Sequence, residues 1–185
     1  FPPAAIQWLA PARPGRVLAL GTEARSLVAG LAASGNAVVV TGNSAAAVAS
    51  ACRRPSLRGV AASPAALPFA PCSFDTVLIT HDPWTLGPAL PELARVLAPG
   101  GRLAALVTVR DDSVPWVRRL AAIVQRHDPE AMRPADELAG TLPAAANFPE
   151  VERREFRRWV PVDRDGLLAM VTALPGLRSL AADQV

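Results

Sequence analysis

The 185-residue chain has no tyrosine, two cysteines, two histidines and two methionines, and only 5% of it is aromatic. Lysine is absent too, so all nineteen cations are arginines. Each scarcity narrows the range of functions. Cys52 and Cys72 lie far apart in sequence, with neither paired spacing nor a nearby histidine pattern, which argues against a zinc site and a disulfide scaffold. They read as buried thiols in a reducing cytosol. No segment approaches the roughly 20 apolar residues needed to span a bilayer, and the proline-broken N-terminus lacks the charged start and apolar run of a signal peptide. The sequence is therefore expected to be soluble and cytoplasmic, with no membrane partner. Arginine without lysine, beside abundant alanine, proline and glycine, reflects a GC-rich coding sequence more simply than an anionic ligand. The net charge of +3 is modest and the pI of about 10.0 follows from the high pKa of arginine, so nucleic acid is not an expected partner.

Half of the residues are apolar, 51%, enough at this length for one domain with a substantial core. The first residue is Phe, so the sequence is expected to be a processed or partial product of a longer reading frame. Arg16–Leu20 is a short apolar run ending at Gly21, and Ala24–Ser34 has helical apolar spacing and stops at Gly35-Asn36. The unit repeats. Ala37–Thr41 is β-branched, Gly42-Asn43-Ser44 offers a turn and an N-cap, and Ala45–Arg54 reads as a helix stopped by Pro55. Gly59–Ala62 is a short third strand, and Ser63–Ser73, broken by three prolines, is a loop. Phe74–Thr80 is a fourth strand, Leu86–Leu97 a helix and Arg102–Val109 a fifth strand, with Pro99-Gly100-Gly101 marking the last junction.

Continuously apolar strands alternating with helices predict a doubly wound, mostly parallel α/β sheet covered on both faces. Ser113–Arg126 extends the pattern with an amphipathic helix, and Asp128–Glu150 is a Pro- and Ala-rich excursion. Val151–Val162 is compatible with a half-exposed strand, and Asp163–Leu174 with a helix begun by an Asp cap. The expected organisation is a single domain over 1–185, with a core at 1–126, an insertion at 127–150 and a C-terminal strand and helix at 151–185.

Leu67-Pro68-Phe69-Ala70-Pro71-Cys72-Ser73-Phe74-Asp75-Thr76-Val77-Leu78 resembles the fourth-strand signature of class I S-adenosylmethionine-dependent methyltransferases of the small-molecule type. Glu92-Leu93-Ala94-Arg95-Val96-Leu97-Ala98-Pro99-Gly100-Gly101-Arg102-Leu103 is similar to their fourth helix, turn and fifth strand. With Val17-Leu18-Ala19-Leu20-Gly21, the resemblance covers roughly residues 1–126. It implies a Rossmann-like fold with the methyl donor across the carboxyl ends of the first, second and fourth strands. Gly21, Thr22, Gly42, Leu67, Thr80 and His81 are the cofactor-binding candidates.

The resemblance fails at its charged positions. The acid that the family carries in the first strand is Ala19, the small residues of the following loop are Thr22, Glu23 and Arg25, and the acid at the end of the second strand gives way to Thr41-Gly42-Asn43. Near the expected adenine position stand Ala61, Ala62 and Ser63. An ion pair between Glu23 and Arg25 is expected to fill the emptied place. The implied reading is a divergent or inactive homologue with a degenerate donor site, acting through binding or assembly with another copy or a protein partner. The alternative is an active S-adenosylmethionine-dependent enzyme on a small-molecule acceptor.

Other chemistry is thin. His81-Asp82-Pro83-Trp84 departs by one proline from the motif of amine methyltransferases, and His81 reads either as a general base at a cleft mouth or as an ordinary loop histidine. Arg153, Arg154, Arg157 and Arg158 beside Phe156 and Trp159 could form a basic aromatic patch, but Glu150, Glu152 and Glu155 interrupt it, so a solvated edge laced with ion pairs is the simpler reading. No residue is singled out as catalytic and none as a metal ligand. The family closes its sheet with two further antiparallel strands, of which only the first has a candidate here, so an incomplete edge is expected.

Overall fold

The computed structural model describes residues 1–22, 24–53, 57–80, 87–109, 111–127, 148 and 150–172. They fall into two compact units, Phe1–Val107 with Leu142–Arg158, and Thr108–Thr141 with Trp159–Val185.

The first unit is a five-stranded, wholly parallel sheet in the order β3-β2-β1-β4-β5. Its strands are β1 (Arg16–Leu20), β2 (Ala37–Gly42), β3 (Arg58–Ala61), β4 (Phe74–Ile79) and β5 (Leu97–Ala105). Its helices are α1 (Pro3–Leu9), α2 (Arg25–Ala33), α3 (Ala45–Ala51) and α4 (Leu90–Val96). In β1, the last four residues are all buried because both faces of the sheet are covered. Val17 and Ala19 face a core with Leu27, Val28 and Leu31 of α2 and Leu9 of α1, while Leu18 and Leu20 face one with Leu93 and Val96 of α4. The doubly wound parallel sheet expected from the sequence is therefore present.

Local chemistry explains several boundaries. At the end of α2, Gly35 takes the left-handed conformation (φ 87°) that a side chain disfavours. The Gly35 N–H reaches the Ala32 carbonyl and the Asn36 N–H the Leu31 carbonyl, which closes the helix as a Schellman motif. Asn36 is buried and bonded at both ends of its amide, its Nδ2 donating to Leu31 O at 2.9 Å and its Oδ1 accepting from Gly15 N at 3.1 Å. Ser44 caps α3 by accepting from Ala47 N at 3.3 Å.

Two expectations are corrected, and one helix was not foreseen. Helix α1 was hidden behind Pro2 and Pro3, yet proline is tolerated in a first helical turn, where the N–H has no partner anyway. β5 starts at Leu97 and runs through Pro99-Gly100-Gly101, with a register irregularity between Phe74 and Thr76 absorbing the extra residues. Val151–Val162 forms no strand. Only Phe156 of residues 151–162 is even partly buried, and the charges pair locally, Arg153 with Glu155 at 2.6 Å and Arg154 with Glu152 at 3.1 Å. Such a segment has no apolar face to lay against a sheet.

Residues 150–158 contact α1 through side chains. Trp8 Nε1 donates to Glu152 Oε1 at 3.4 Å, and the Trp8 ring lies 6.0 Å from Phe156. The Arg102 guanidinium stacks 4.6 Å from the same ring while donating to the Trp8 carbonyl, and Arg158 lies 4.8 Å from the Phe1 ring.

The second unit contains α5 (Pro115–Gln125) and α6 (Arg164–Thr172). Ala121 and Val124 of α5 are buried, whereas Trp116 and Ile123 are each 54% exposed. The expected Asp cap is present at α6, where Asp163 Oδ1 accepts from Gly166 N at 2.8 Å. Trp159, Leu168 and Met170 are exposed as well.

Candidate functional site

The sheet order places a topological switch between β1 and β4. From β1 the chain winds outward through β2 to β3, then returns to the other side of β1, leaving a crevice at the carboxyl ends of these strands. Gly21 follows β1 with φ 103°, a conformation that excludes most side chains, and its N–H donates to the Thr41 carbonyl at 2.9 Å. Thr80, just past β4, donates from both its N–H (3.0 Å) and its Oγ1 (2.8 Å) to the Leu20 carbonyl. Ala62 N donates to Gly42 O at 3.1 Å. These bonds bring Gly21, Thr22, Gly42 and Thr80 together at one end of the sheet. A Cβ added to Gly42 would stand 3.1 Å from Thr22 Cγ2, so the Thr22 methyl lies over the end of β2.

Leu67 is buried in the loop between β3 and β4 and shares a core cluster with Leu20 and Ile79, the last residues of β1 and β4. A charged pair on α4 holds that loop. Glu92 Oε1 accepts the Leu67 N–H at 2.8 Å, and Arg95 donates to the Leu67 carbonyl at 3.2 Å and the Phe69 carbonyl at 2.9 Å. The two side chains also meet each other twice, at 2.7 Å each. Phe69 then packs edge-on against Phe74, with ring centroids 5.0 Å apart. The Arg95 guanidinium and the Leu67 N–H hold the Glu92 carboxyl down to about 2, while Glu92 raises the Arg95 pKa. Glu92 and Arg95 were visible in the sequence only as letters of a signature; their spacing of three on one helix was the signal that they act together.

Arg16 makes a similar tie at the opposite end of β4, donating from its backbone N–H and its guanidinium to Asp75 and holding that carboxyl low. Arg25 does not fill the place beside Gly21. It is the first residue of α2, and its Nη2 donates to Ser50 Oγ on α3 at 3.2 Å. Glu23, His81, Asp82, Pro83 and Trp84 lie outside the described residues, as does most of the 127–150 insertion.

The cysteines depart from the buried pair expected. Cys72 is exposed, and Cys52 is half-buried with its thiol pushed up by desolvation. No described carboxylate terminates β1 or β2 or lies within Ala61-Ala62-Ser63. Among the described residues no cluster of three His, Cys, Asp or Glu side chains could hold a metal ion. No described helix is long and apolar enough to cross a membrane.

A parallel sheet with this switch point and a glycine turn after β1 is the architecture of Rossmann-like nucleotide-cofactor folds. Residues 18–105 match the family of methyltransferase domains. Proteins described as uncharacterized methyltransferases from Mycobacterium tuberculosis and Mycobacterium bovis are 36% identical over 132 residues, covering 68% of this chain and 53% of theirs. The chain thus spans about half the length of these curated relatives. The solved structure of a protein described as a type II methyltransferase from Anaeromyxobacter dehalogenans superposes with a TM-score of 0.73 and 25% identity, covering 100% of this chain and 81% of that one. A Haloferax volcanii methyltransferase, solved in complex with the Trm112 methyltransferase activator, shares the fold at a TM-score of 0.50 and 23% identity, over 63% of this chain and 57% of that one. The chain belongs to the class I S-adenosylmethionine-dependent methyltransferase family.

Proposed function

We propose that this chain is a divergent class I methyltransferase homologue with a degenerate donor site, acting through binding or assembly with another copy or a protein partner. The observation that carries the reading is that, among the described residues, no carboxylate stands at the crevice, where Ala19, Gly42-Asn43 and Ala61-Ala62-Ser63 occupy the positions at which the family resemblance expects acids. A ribose diol and a cationic amino acid end each need a charge-assisted acceptor, worth roughly 1.5–3 kcal/mol. Losing two weakens a donor about a hundredfold or more. The residues present therefore do not fit S-adenosylmethionine well, and no chemical step is derived through it. Exposed Trp116, Ile123 and Trp159 in the second unit support an assembly role.

One observation favours the alternative of an active enzyme on a small-molecule acceptor. Arg25 is turned to Ser50 rather than into the crevice, while Glu92 and Arg95 still hold the Leu67 wall in place. Isothermal titration with S-adenosylmethionine and S-adenosylhomocysteine separates the two readings. The expected result is no saturable binding at micromolar ligand. Micromolar binding by the unaltered chain overturns the degenerate-site reading and makes the methyl acceptor the next object of search.

A further inference from the structure

Among the described residues, the ring contacts and hydrogen bonds that tie residues 150–158 to the rest of the first unit all end on Trp8 or Phe1. Trp8 carries three of them. Its Nε1 donates to Glu152 Oε1 at 3.4 Å, the Phe156 ring lies tilted 6.0 Å away, and the Arg154 guanidinium sits 5.9 Å from the indole ring. Arg154 Nε donates to that same Glu152 oxygen at 3.1 Å, so indole, carboxylate and guanidinium form one connected cluster. Arg158 adds its guanidinium 4.8 Å from the Phe1 ring. No backbone–backbone hydrogen bond joins this segment to another described residue, and all of residues 150–158 but Phe156 are exposed.

The two sides of the contact are held differently. Helix α1 is anchored without the segment, since Ala5 and Leu9 are buried and Ile6 lies so close over Gly30 of α2 that a Cβ there would meet its Cδ1 at 2.6 Å. Arg102 of β5 also fixes it, donating to the Trp8 carbonyl at 2.8 Å and stacking on the ring. The segment carries its own charge partners, Arg153 with Glu155 and Arg154 with Glu152. Lifting it from α1 therefore strands no buried charge and breaks no backbone ladder, which are the features of a locally opening element.

We propose that residues 150–158 are a detachable strap, which lifts from α1 as a unit while the sheet stays folded and so uncovers the faces of Trp8 and Phe1. The strap is independent of whether the crevice takes a methyl donor.

The test is nitrogen-edited NMR of the full chain, reading backbone order parameters of residues 151–158 against those of Gly21 and Thr80 in the sheet. In the parent at 25 °C both sets are expected near the rigid value of about 0.85. On heating, the strap amides are expected to become mobile, below about 0.6, well before far-ultraviolet circular dichroism is lost. Phe156→Ala deletes the ring that meets Trp8 and is expected to raise the detached-to-docked ratio about tenfold, with the Gly21 and Thr80 amides still rigid. Strap amides already mobile in the parent, mobility that appears only with global unfolding, or unchanged strap order in Phe156→Ala overturns the proposal. Loss of the sheet in that variant overturns it too, because the segment would then be a structural part of the unit.

Discussion

Thr76 gives a prediction whose sign is opposite to that of most core substitutions. It sits in the middle of β4, paired with Val17 on one side and Arg102 on the other, and is completely buried. Its Oγ1 is the one buried side-chain polar atom without a hydrogen-bond partner among the described residues. Stranding a hydroxyl in this way costs about 1–3 kcal/mol. Valine has nearly the same shape and favours strands, so Thr76→Val is expected to stabilise the protein by about 1–2 kcal/mol. For a chain of this size each kcal/mol raises the melting temperature by roughly 2–4 °C. Thr80→Val is the matched contrast, because its Oγ1 does donate, to the Leu20 carbonyl at 2.8 Å. It is expected to lose about 0.5–1.5 kcal/mol. Urea unfolding followed by circular dichroism, with an unchanged m-value confirming the same transition, reads both variants. If Thr76→Val is destabilised as much as Thr80→Val, the Thr76 hydroxyl makes a stabilising interaction and the reasoning fails.

Glu92 predicts an acid dependence. Its carboxyl is lowered from 4.5 to about 2, so its contribution is complete above about pH 5 and is lost as pH falls toward 2. Asp75, also lowered by Arg16, adds in the same direction. Glu92→Gln is expected to flatten this part of the stability profile in acid titrations; parallel curves for variant and parent would show that the clamp carries no charge-linked stability. Gly59 predicts a steric effect, since a Cβ there would lie 2.7 Å from Cys52 Sγ and closer still to Val48 Cγ1. Gly59→Ala should cost about 1–3 kcal/mol in denaturant melts, with partial recovery on adding Cys52→Ala. Purely additive effects would mean that the two residues do not meet.

What could be read from the letters depended on how local the governing physics was. β1 was predicted over its observed span, and β2 and β4 to within one residue, because continuous apolar runs bounded by turn residues specify a buried parallel strand. Gly35-Asn36 and Ser44 mark helix ends by chemistry confined to a few neighbours. β5 was misplaced because its start depends on pairing with Phe74 across the sheet, which overrides the breaking tendency of Pro99-Gly100-Gly101. The candidate site was legible as a place, since Gly21, Thr22, Gly42 and Thr80 do converge, while Leu67 packs with the adjoining strand ends. The direction of Arg25 was not legible, because it is set by Ser50, which lies 25 residues away and reaches it only once α2 and α3 pack. Likewise, nothing near Trp8 forecasts that Glu152 and Phe156 reach it.

That last contact can form only late in synthesis. Trp8 and Glu152 are separated by 144 positions, so on a ribosome α1 emerges long before the segment that packs against it. At about 5–20 residues per second the helix waits for several seconds or more. Meanwhile Trp8 has only Arg102 to stack on, and that residue too emerges late. The parallel sheet cannot close early either, since β4, which lies beside β1, follows β2 and β3 in the chain. Vectorial synthesis thus leaves Trp8 without its ring and hydrogen-bond partners until residues 102–156 have emerged, with α2 as the one neighbour that α1 can pack against early.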